Sequence, residues 1–545
     1  MVVLGSTLLT GTATGIAKAA APPSPPWLSD AVLYTLYPQS FADSNGDGIG
    51  DIQGIIDHLD YLSWLGVNLI WIPPIYPSPF TDAGYDVTDY TGVAPRYGSK
   101  EDLVRLVDAA KRKGIRILLD LVAGHTSDQH PWFLASREDP NDGRYIWARP
   151  EEYPEGKVPG GFVPSTGARP GAFMQNYYDT QPALNYGYAR MDSGEPWRQS
   201  VDAEGPRANR AALLDIMDHW LSLGVSGFRC DMAFSLVKDD GPRYPETTKL
   251  WQEIRRWLDR RYPQAMLISE WGAPSLSIPA GFHADFFLHD LEQGHGLPEV
   301  WNSLYNKDNK GRDPYFSNDG RGSAQTLVDT WRRLNDETGT RGYIALPAAN
   351  FDDGNRLNDN VRDRRALKPG FVFQLTWPTV PTIFYGEEIG MRMIPGLAEK
   401  EGSDGRQRNR TPMQWDSTAN AGFSTAPAEK LYLPIDDLPD RPTVEAQRND
   451  PDSLLNLARR LIALRKENPA FGPGSGVRVF STGYPFTYLR GDRYLVAVNP
   501  QRDAAEIVVD DIRLERARPV ENLGTTISGT RLRIDGFGYG IFDLE

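Results

Sequence analysis

Cysteine is almost absent from this sequence. Cys230 is the single one in 545 residues, which excludes an internal disulfide framework and any cysteine-cluster metal site. Histidine is scarce as well, and seven leave little material for a multi-histidine metal centre. Positive charge is in the minority: Lys and Arg total 58 against 72 Asp and Glu, a net charge of −14. Without a basic block such a surface repels phosphate backbones, so nucleic acid is not an expected partner. A neutral ligand is not excluded. No run approaches the roughly 18 uncharged apolar residues of a membrane span. No GxGxxG turn follows the first strand, which removes support for a dinucleotide fold. Aromatics are plentiful at 11%, with 14 Trp and 24 Tyr, more than a core alone usually needs. Such rings line carbohydrate clefts as well as packing cores. With 40% hydrophobic and 24% charged residues the chain folds, either as three domains or as one large α/β barrel with a satellite.

Residues 1–21 are small and apolar and end in Ala19-Ala20-Ala21, like a processing site. A secretory signal opens with a positive segment, but here the first basic residue is Lys18, and Gly and Thr interrupt the apolar run. A disordered leader and a cytoplasmic protein are the expectation, with secretion the alternative. The leader is assigned to 1–29.

From Val32 onward, short β-rich runs alternate with helical patterns. Candidate strands fall at 33–38, 67–72, 115–123, 225–233, 266–271, 344–350 and 379–389, most of them after an amphipathic stretch. Gly66, Gly114 and Gly224 close three of those helices at the left-handed cap position. This repetition predicts a parallel sheet covered by helices, and the strand count favours a closed (β/α)8 TIM barrel. Residues 126–207 break the rhythm and are too long for a simple loop, so they read as an inserted subdomain. The barrel then spans 30–125 and 208–465, and the short alternating strands of 466–545 form a C-terminal antiparallel β-sandwich.

Charged groups collect at the C-terminal ends of these strands, where barrel chemistry is sited. They are Asp120 with His125, Arg229 with Asp231, Glu270, and Asp352-Asp353 with Arg356. Chemistry at an acetal carbon needs a proton donor and an ionised carboxylate from two elements facing one cleft. Arg229 and Asp231, two apart, leave the same strand face, so the guanidinium can keep that carboxylate ionised. A helix cap or a surface charge is the plain alternative for each acid taken singly. Periodicity alone leaves a barrel hydrolase or lyase.

The motifs then show a resemblance. Asp120-Leu-Val-Ala-Gly-His125, Gln181-Pro-Ala-Leu-Asn185, Gly227-Phe-Arg-Cys-Asp231, Ile268-Ser-Glu270 and Phe351-Asp-Asp353 with Arg356 resemble the alpha-amylase family of glycoside hydrolases and transglycosylases. Gly84-Tyr-Asp-Val-Thr-Asp-Tyr90 and Arg410-Thr-Pro-Met-Gln-Trp415 are similar to its alpha-glucosidase and oligo-1,6-glucosidase branch. The resemblance implies that Asp231 is the nucleophile, Glu270 the acid and base, and Asp353 the holder of the sugar hydroxyls. It implies retaining double displacement with carboxyls about 5–5.5 Å apart, and a Glu270 protonated at rest. It also implies a glucose pocket lined by Tyr85, Asp86, His125, Arg229, Arg356 and Arg406, and makes 126–207 the family's domain B. Short alpha-glucosides are the implied substrates. A dedicated transglucosylase, a sucrose or trehalose isomerase and a non-catalytic sugar-binding barrel are the alternatives.

Several residues depart from the family pattern. Gly124 replaces the Asn before the motif histidine, which puts the central calcium of many amylases in doubt, and Ala183 stands where Asp is commoner. Asp352 takes the place of a His; an added anion there should weaken hydroxyl binding or demand its own partner. Met232 after the nucleophile leaves linkage preference open. Separately, Asp43, Asn45, Asp47, the Ile49 carbonyl and Asp51 carry the ligand spacing of a calcium loop around glycine turns. Gly54 sits where an EF-hand has its last glutamate, so a structural Ca²⁺ is expected rather than a sensor site. Cys230 is expected to be a packed core thiol.

Overall fold

The computed structural model describes residues 25–288, 297, 300–301, 314–316, 321–339, 341–349, 351–352, 355–361 and 363–545. Residues 1–24 of the leader and Asp353 lie outside the described residues; the leader's last residues, from Pro26, are in a short 3-10 helix with Leu28 buried. Eight parallel strands close into a barrel: β1 (Leu33–Thr35), β2 (Leu69–Ile72), β3 (Arg116–Leu121), β4 (Gly227–Cys230), β5 (Met266–Ser269), β6 (Ala284–Phe286), β7 (Tyr343–Pro347) and β8 (Val380–Phe384). Neighbours follow chain order around the ring, and β1 closes it by pairing with both β2 and β8. Almost every strand residue is buried, as expected of a sheet covered on both faces.

The helices between strands are capped as the sequence suggests. Lys100–Arg112 opens with a Ser99–Asp102 capping box and carries basic residues in its last turn, which suits both helix ends. Gly66, Gly114 and Gly224 all have positive φ, at 99°, 71° and 96°. Gly227 is required for a different reason. At φ 142° a Cβ there would lie 2.0 Å from the Met266 carbonyl oxygen, so only glycine lets β4 approach β5 this closely. That approach sets the neighbouring residues Arg229 and Glu270.

After β3 the chain makes its excursion. Trp147–Ala148, Phe162–Pro164 and Ala172–Met174 form a small antiparallel sheet with the last in the middle, and a bridge from His125 to Ala183 ties the excursion back to the barrel rim. The C-terminal part forms one curled sheet of six strands: β9 (Val477–Ser481), β10 (Phe486–Arg490), β11 (Tyr494–Asn499), β12 (Ala505–Val508), β13 (Arg518–Ser528) and β14 (Arg531–Asp543). One face, with Phe486, Tyr488, Val496 and Ile541, joins the barrel's core; the other, with Leu489, Leu495, Leu532 and Phe542, makes a small core of its own. The sandwich expected from alternating strands is thus completed on one side by the barrel. Among the described residues no helix is long and apolar enough to cross a membrane.

Candidate active site

One guanidinium organises the C-terminal mouth of the barrel. Pairing of β3 with β4 sets Asp120 opposite Arg229, and pairing of β4 with β5 sets Cys230 opposite Ser269. Arg229 Nη1 donates to Asp120 Oδ1 at 3.0 Å and to Asp231 Oδ1 at 2.8 Å, while Nη2 lies 2.8 Å from Glu270 Oε1. The guanidinium stacks 4.8 Å from the Trp71 ring, and Trp71 Nε1 and the Tyr85 hydroxyl both donate to Asp120 Oδ2 at 3.1 Å. Cys230, between Arg229 and Asp231 in the chain, is fully buried. Met232 is held in the left-handed region at φ 39°, an uncommon place for a side chain, and its N–H donates to Glu270 Oε2 at 3.0 Å.

Three carboxylates around one cation cannot all ionise easily in a buried site. Burial pushes Glu270 up to about 8 against the opposing pull of Arg229, and Asp231 adds to the rise. Asp231 and Asp120 are each pushed up to about 6, again by burial with Arg229 opposing. Burial disfavours the charge on Arg229, yet Asp120 and Glu270 outweigh it and the guanidinium stays charged. Near neutral pH this leaves Glu270 protonated and Asp231 ionised, the split a proton donor and a nucleophile need. Asp231 Oδ1 and Glu270 Oε1 each lie 2.8 Å from the Arg229 guanidinium, which brings the two carboxyls to one centre.

Above them lies a cavity of about 370 Å³ lined by Tyr85, His125, Asp231, Glu270, Asp352 and Arg406 among the anticipated residues. Burial pulls His125 down to about 4. The ring is neutral, with Nε2 3.1 Å from the Tyr85 carbonyl and Nδ1 2.8 Å from Asn176 Nδ2. Asp352 has the partners its charge demands: Arg406 Nη1 at 2.9 Å and Arg410 Nη2 at 3.1 Å, both on Oδ1.

Three anticipated pocket residues do not line the cavity: Arg229, which lies behind the two carboxyls it holds, and Asp86 and Arg356. Asp86 is fully buried and spends its carboxylate on the Ser78 hydroxyl, the Thr81 N–H and the Thr81 hydroxyl at 2.6–2.8 Å. It shapes the loop that presents Asp82, and Asp82 lines the cavity instead, 2.6 Å from Gln181 Nε2. Arg356 is also fully buried; Nη1 donates to the Tyr385 carbonyl at 2.6 Å and the group stacks on Phe384 and Tyr385. Sequence reading passed over Asp82, Tyr177 and Phe234. Gln181 was a motif residue without a role, and Trp271 beside Glu270 completes the aromatic wall. Tyr177 is 53% exposed, which puts it at the mouth.

The loop at 43–51 is far less like a finished cation site. Asp43 spends Oδ1 on the N–H groups of Asn45 and Gly46 and Oδ2 on Gly48 N–H and the Ser424 hydroxyl. Asn45 and Asp47 each accept from the N–H two residues on, at Asp47 and Ile49. Asp51 caps the helix Ile52–Asp57 through Gly54 and also holds Ser44. Among the described residues no three acidic, histidine or cysteine side chains gather where they could hold a metal ion. As arranged, these oxygens brace the loop's own backbone, and a cation would have to compete with those N–H groups for them.

An eight-stranded barrel with an inserted subdomain, and a buried arginine holding two carboxyls at its mouth, fit a glycoside hydrolase or transglucosylase. Comparison with known proteins agrees. The model of the alpha amylase catalytic domain matches residues 35–474. The chain is 32% identical over 563 residues to the trehalose synthase/amylase TreS of Mycobacterium tuberculosis, covering 93% of this chain and 87% of that one. It is 29% identical to the oligo-1,6-glucosidase of Parageobacillus thermoglucosidasius, covering 87% and 90%. An isomaltulose synthase mutant from Erwinia rhapontici NX5, solved with its natural substrate sucrose, superposes with a TM-score of 0.78 at 26% identity, covering 96% of this chain and 99% of that one. The chain belongs to the alpha-amylase family and is a glycoside hydrolase or transglucosylase of that family.

Proposed function

We propose that the protein acts on short alpha-glucosides by double displacement with retention. The observation that carries this is the Arg229 clamp, which holds Asp231 and Glu270 together at the floor of the cavity while burial separates their protonation states. Asp231 attacks the anomeric carbon as the bond to the leaving oxygen breaks, and the Glu270 proton goes to that oxygen. Glu270 then takes a proton from water or an acceptor hydroxyl, which displaces Asp231. The third carboxylate, which holds the sugar hydroxyls, stays with Asp353 as the family motif has it; its chain neighbour Asp352 lies on the cavity wall paired with Arg406 and Arg410.

A second reading is transfer rather than hydrolysis. It draws on the apolar wall of Tyr177, Met232, Phe234, Trp271 and Leu288, which can exclude water from a glucosyl ester. It also draws on the trehalose synthase and isomaltulose synthase among the relatives. The test is incubation with maltose, isomaltose, kojibiose, nigerose, sucrose and trehalose, with anomers followed by NMR. An alpha product appearing first is expected. Free glucose as the main product gives hydrolysis, and a new disaccharide gives transfer. A beta product appearing first ends the double-displacement reading.

A further inference from the structure

A buried carboxylate beside Glu270 has no part in the reaction above. Asp285, on β6, is fully buried. Its Oδ1 accepts from Ser269 Oγ at 2.7 Å, Trp271 N at 3.1 Å, Gly272 N at 3.3 Å and Phe286 N at 3.0 Å. Its Oδ2 accepts from Ala273 N at 2.9 Å and Ser277 Oγ at 2.8 Å. None of these six donors is a lysine or an arginine. Strand pairing explains the reach, since β5 and β6 lie side by side with Ser269 opposite Asp285.

The donors are not scattered. Ser269 and Trp271 are the residues on either side of Glu270, and three successive N–H groups, at 271, 272 and 273, converge on the one carboxylate. Ser277 lies in the short helix Pro274–Ala280 that follows. The segment leaving β5 is therefore wrapped around Asp285 on both sides of the proposed acid. The Glu270 side chain itself is held by Arg229, which also holds Asp231, and by the Met232 N–H. Its backbone orientation is set separately. A displacement of about 1 Å in a reacting group can cost on the order of 10²-fold in rate.

We infer that Asp285 is the positioning residue for Glu270: it fixes the turn that aims the acid at the leaving oxygen. Its loss should then remove proton donation more than substrate binding. The inference rests on the reading of Glu270 as the acid.

The test compares two aryl alpha-glucosides. Phenyl alpha-glucoside needs a proton on its leaving oxygen, and 2,4-dinitrophenyl alpha-glucoside does not. For D285N, kcat/KM on the phenyl substrate should fall about ten- to a hundredfold. On the dinitrophenyl substrate it should fall less than about threefold, with KM nearly unchanged for the phenyl substrate. E270Q should show the same asymmetry more strongly. Should D285N not fold, S269A and S277A, each removing one hydroxyl donor, decide by the same asymmetry at smaller size. Equal losses on the two substrates in the folded variants, with E270Q asymmetric, overturn the positioning role alone. An E270Q without asymmetry overturns the acid assignment and the inference with it.

Discussion

Two sets of buried arginines in this molecule meet the same problem differently. Arg229 at the barrel mouth is 2% exposed, and Arg465 and Arg490 at the seam with the C-terminal sheet are 3% and 0%. In all three, Nε is buried without a hydrogen-bond partner. Arg229 faces carboxylates, which raise its pKa despite burial. Arg465 and Arg490 face carbonyls, and burial pulls each down to about 9. Arg465 reaches the Leu375 and Thr379 carbonyls, and Arg490 those of Thr376, Ala470 and Gly472. Leu375 and Thr376 end the helix Leu367–Thr376, whose last carbonyls have no partner of their own. At the seam the guanidinium is a hydrogen-bond fork that joins the sheet to the barrel. At the mouth its charge is matched and available for chemistry.

The largest effects should come from the mouth. D231A and E270Q are expected to lose about 10²–10⁴-fold or more in kcat/KM. Neither should lower the melting temperature much, because each removes a carboxylate that resists burial. The wild-type rate should follow a bell whose limbs lie near the values of about 6 and 8 carried by the pair. Activity falls below the first as the nucleophile gains its proton, and above the second as the acid loses its own. An E270Q profile that keeps the alkaline limb would show that another group sets it.

Exchanging each arginine sharpens the contrast. R229M should abolish turnover and cost about 3–5 kcal/mol at pH 8, since it strands buried carboxylates. Those carboxyls already sit above their unfolded values, at about 6, 6 and 8. A group raised on folding stabilises fully below its unfolded pKa and loses that contribution as pH rises through the folded one. R229M should therefore recover much of its stability between pH 8 and pH 5, read by denaturant melts at both. R490M should cost about 1–3 kcal/mol from unsatisfied carbonyls, equally at both pH values, with kcat/KM per folded molecule unchanged. A pH-dependent loss in R490M would erase the distinction.

The smallest effect concerns neither arginine. We propose calcium at the loop 43–51 only as a binding event that must first break the loop's own hydrogen bonds. Added Ca²⁺ should then raise the melting temperature by a few degrees at most, roughly RT ln(1 + [L]/Kd) of stabilisation, without changing the rate. No thermal shift, and no divalent ion by elemental analysis, would leave the segment a turn.

Much of this was legible in the residues. Alternating strand and helix periods gave seven barrel strands and the glycine caps, because those signals repeat locally and are set by burial. The eighth strand, Ala284–Phe286, is three residues long with an aspartate at its centre, and no local pattern marks it. Asp231, Arg229 and Glu270 stood out because a charge at the end of an apolar strand is costly without a use. Asp86 and Arg356 shared the family motif yet turned away from the cavity, while Asp82, four residues from Asp86, turned in.

By itself the sequence determined where strands and helices alternate, which family the motifs resemble and which acids could do chemistry, since each follows from short-range pattern and residue type. Tertiary structure decided the rest. Which of two nearby aspartates faces the cavity depends on how the loop of Ser78 and Thr81 folds around Asp86. That Asp352 is tolerable depends on two arginines more than 50 residues away, at 406 and 410. Whether a buried guanidinium stays charged depends on what other chain segments bring against it, because a charge in a protein interior is stabilised only by the groups that surround it in space.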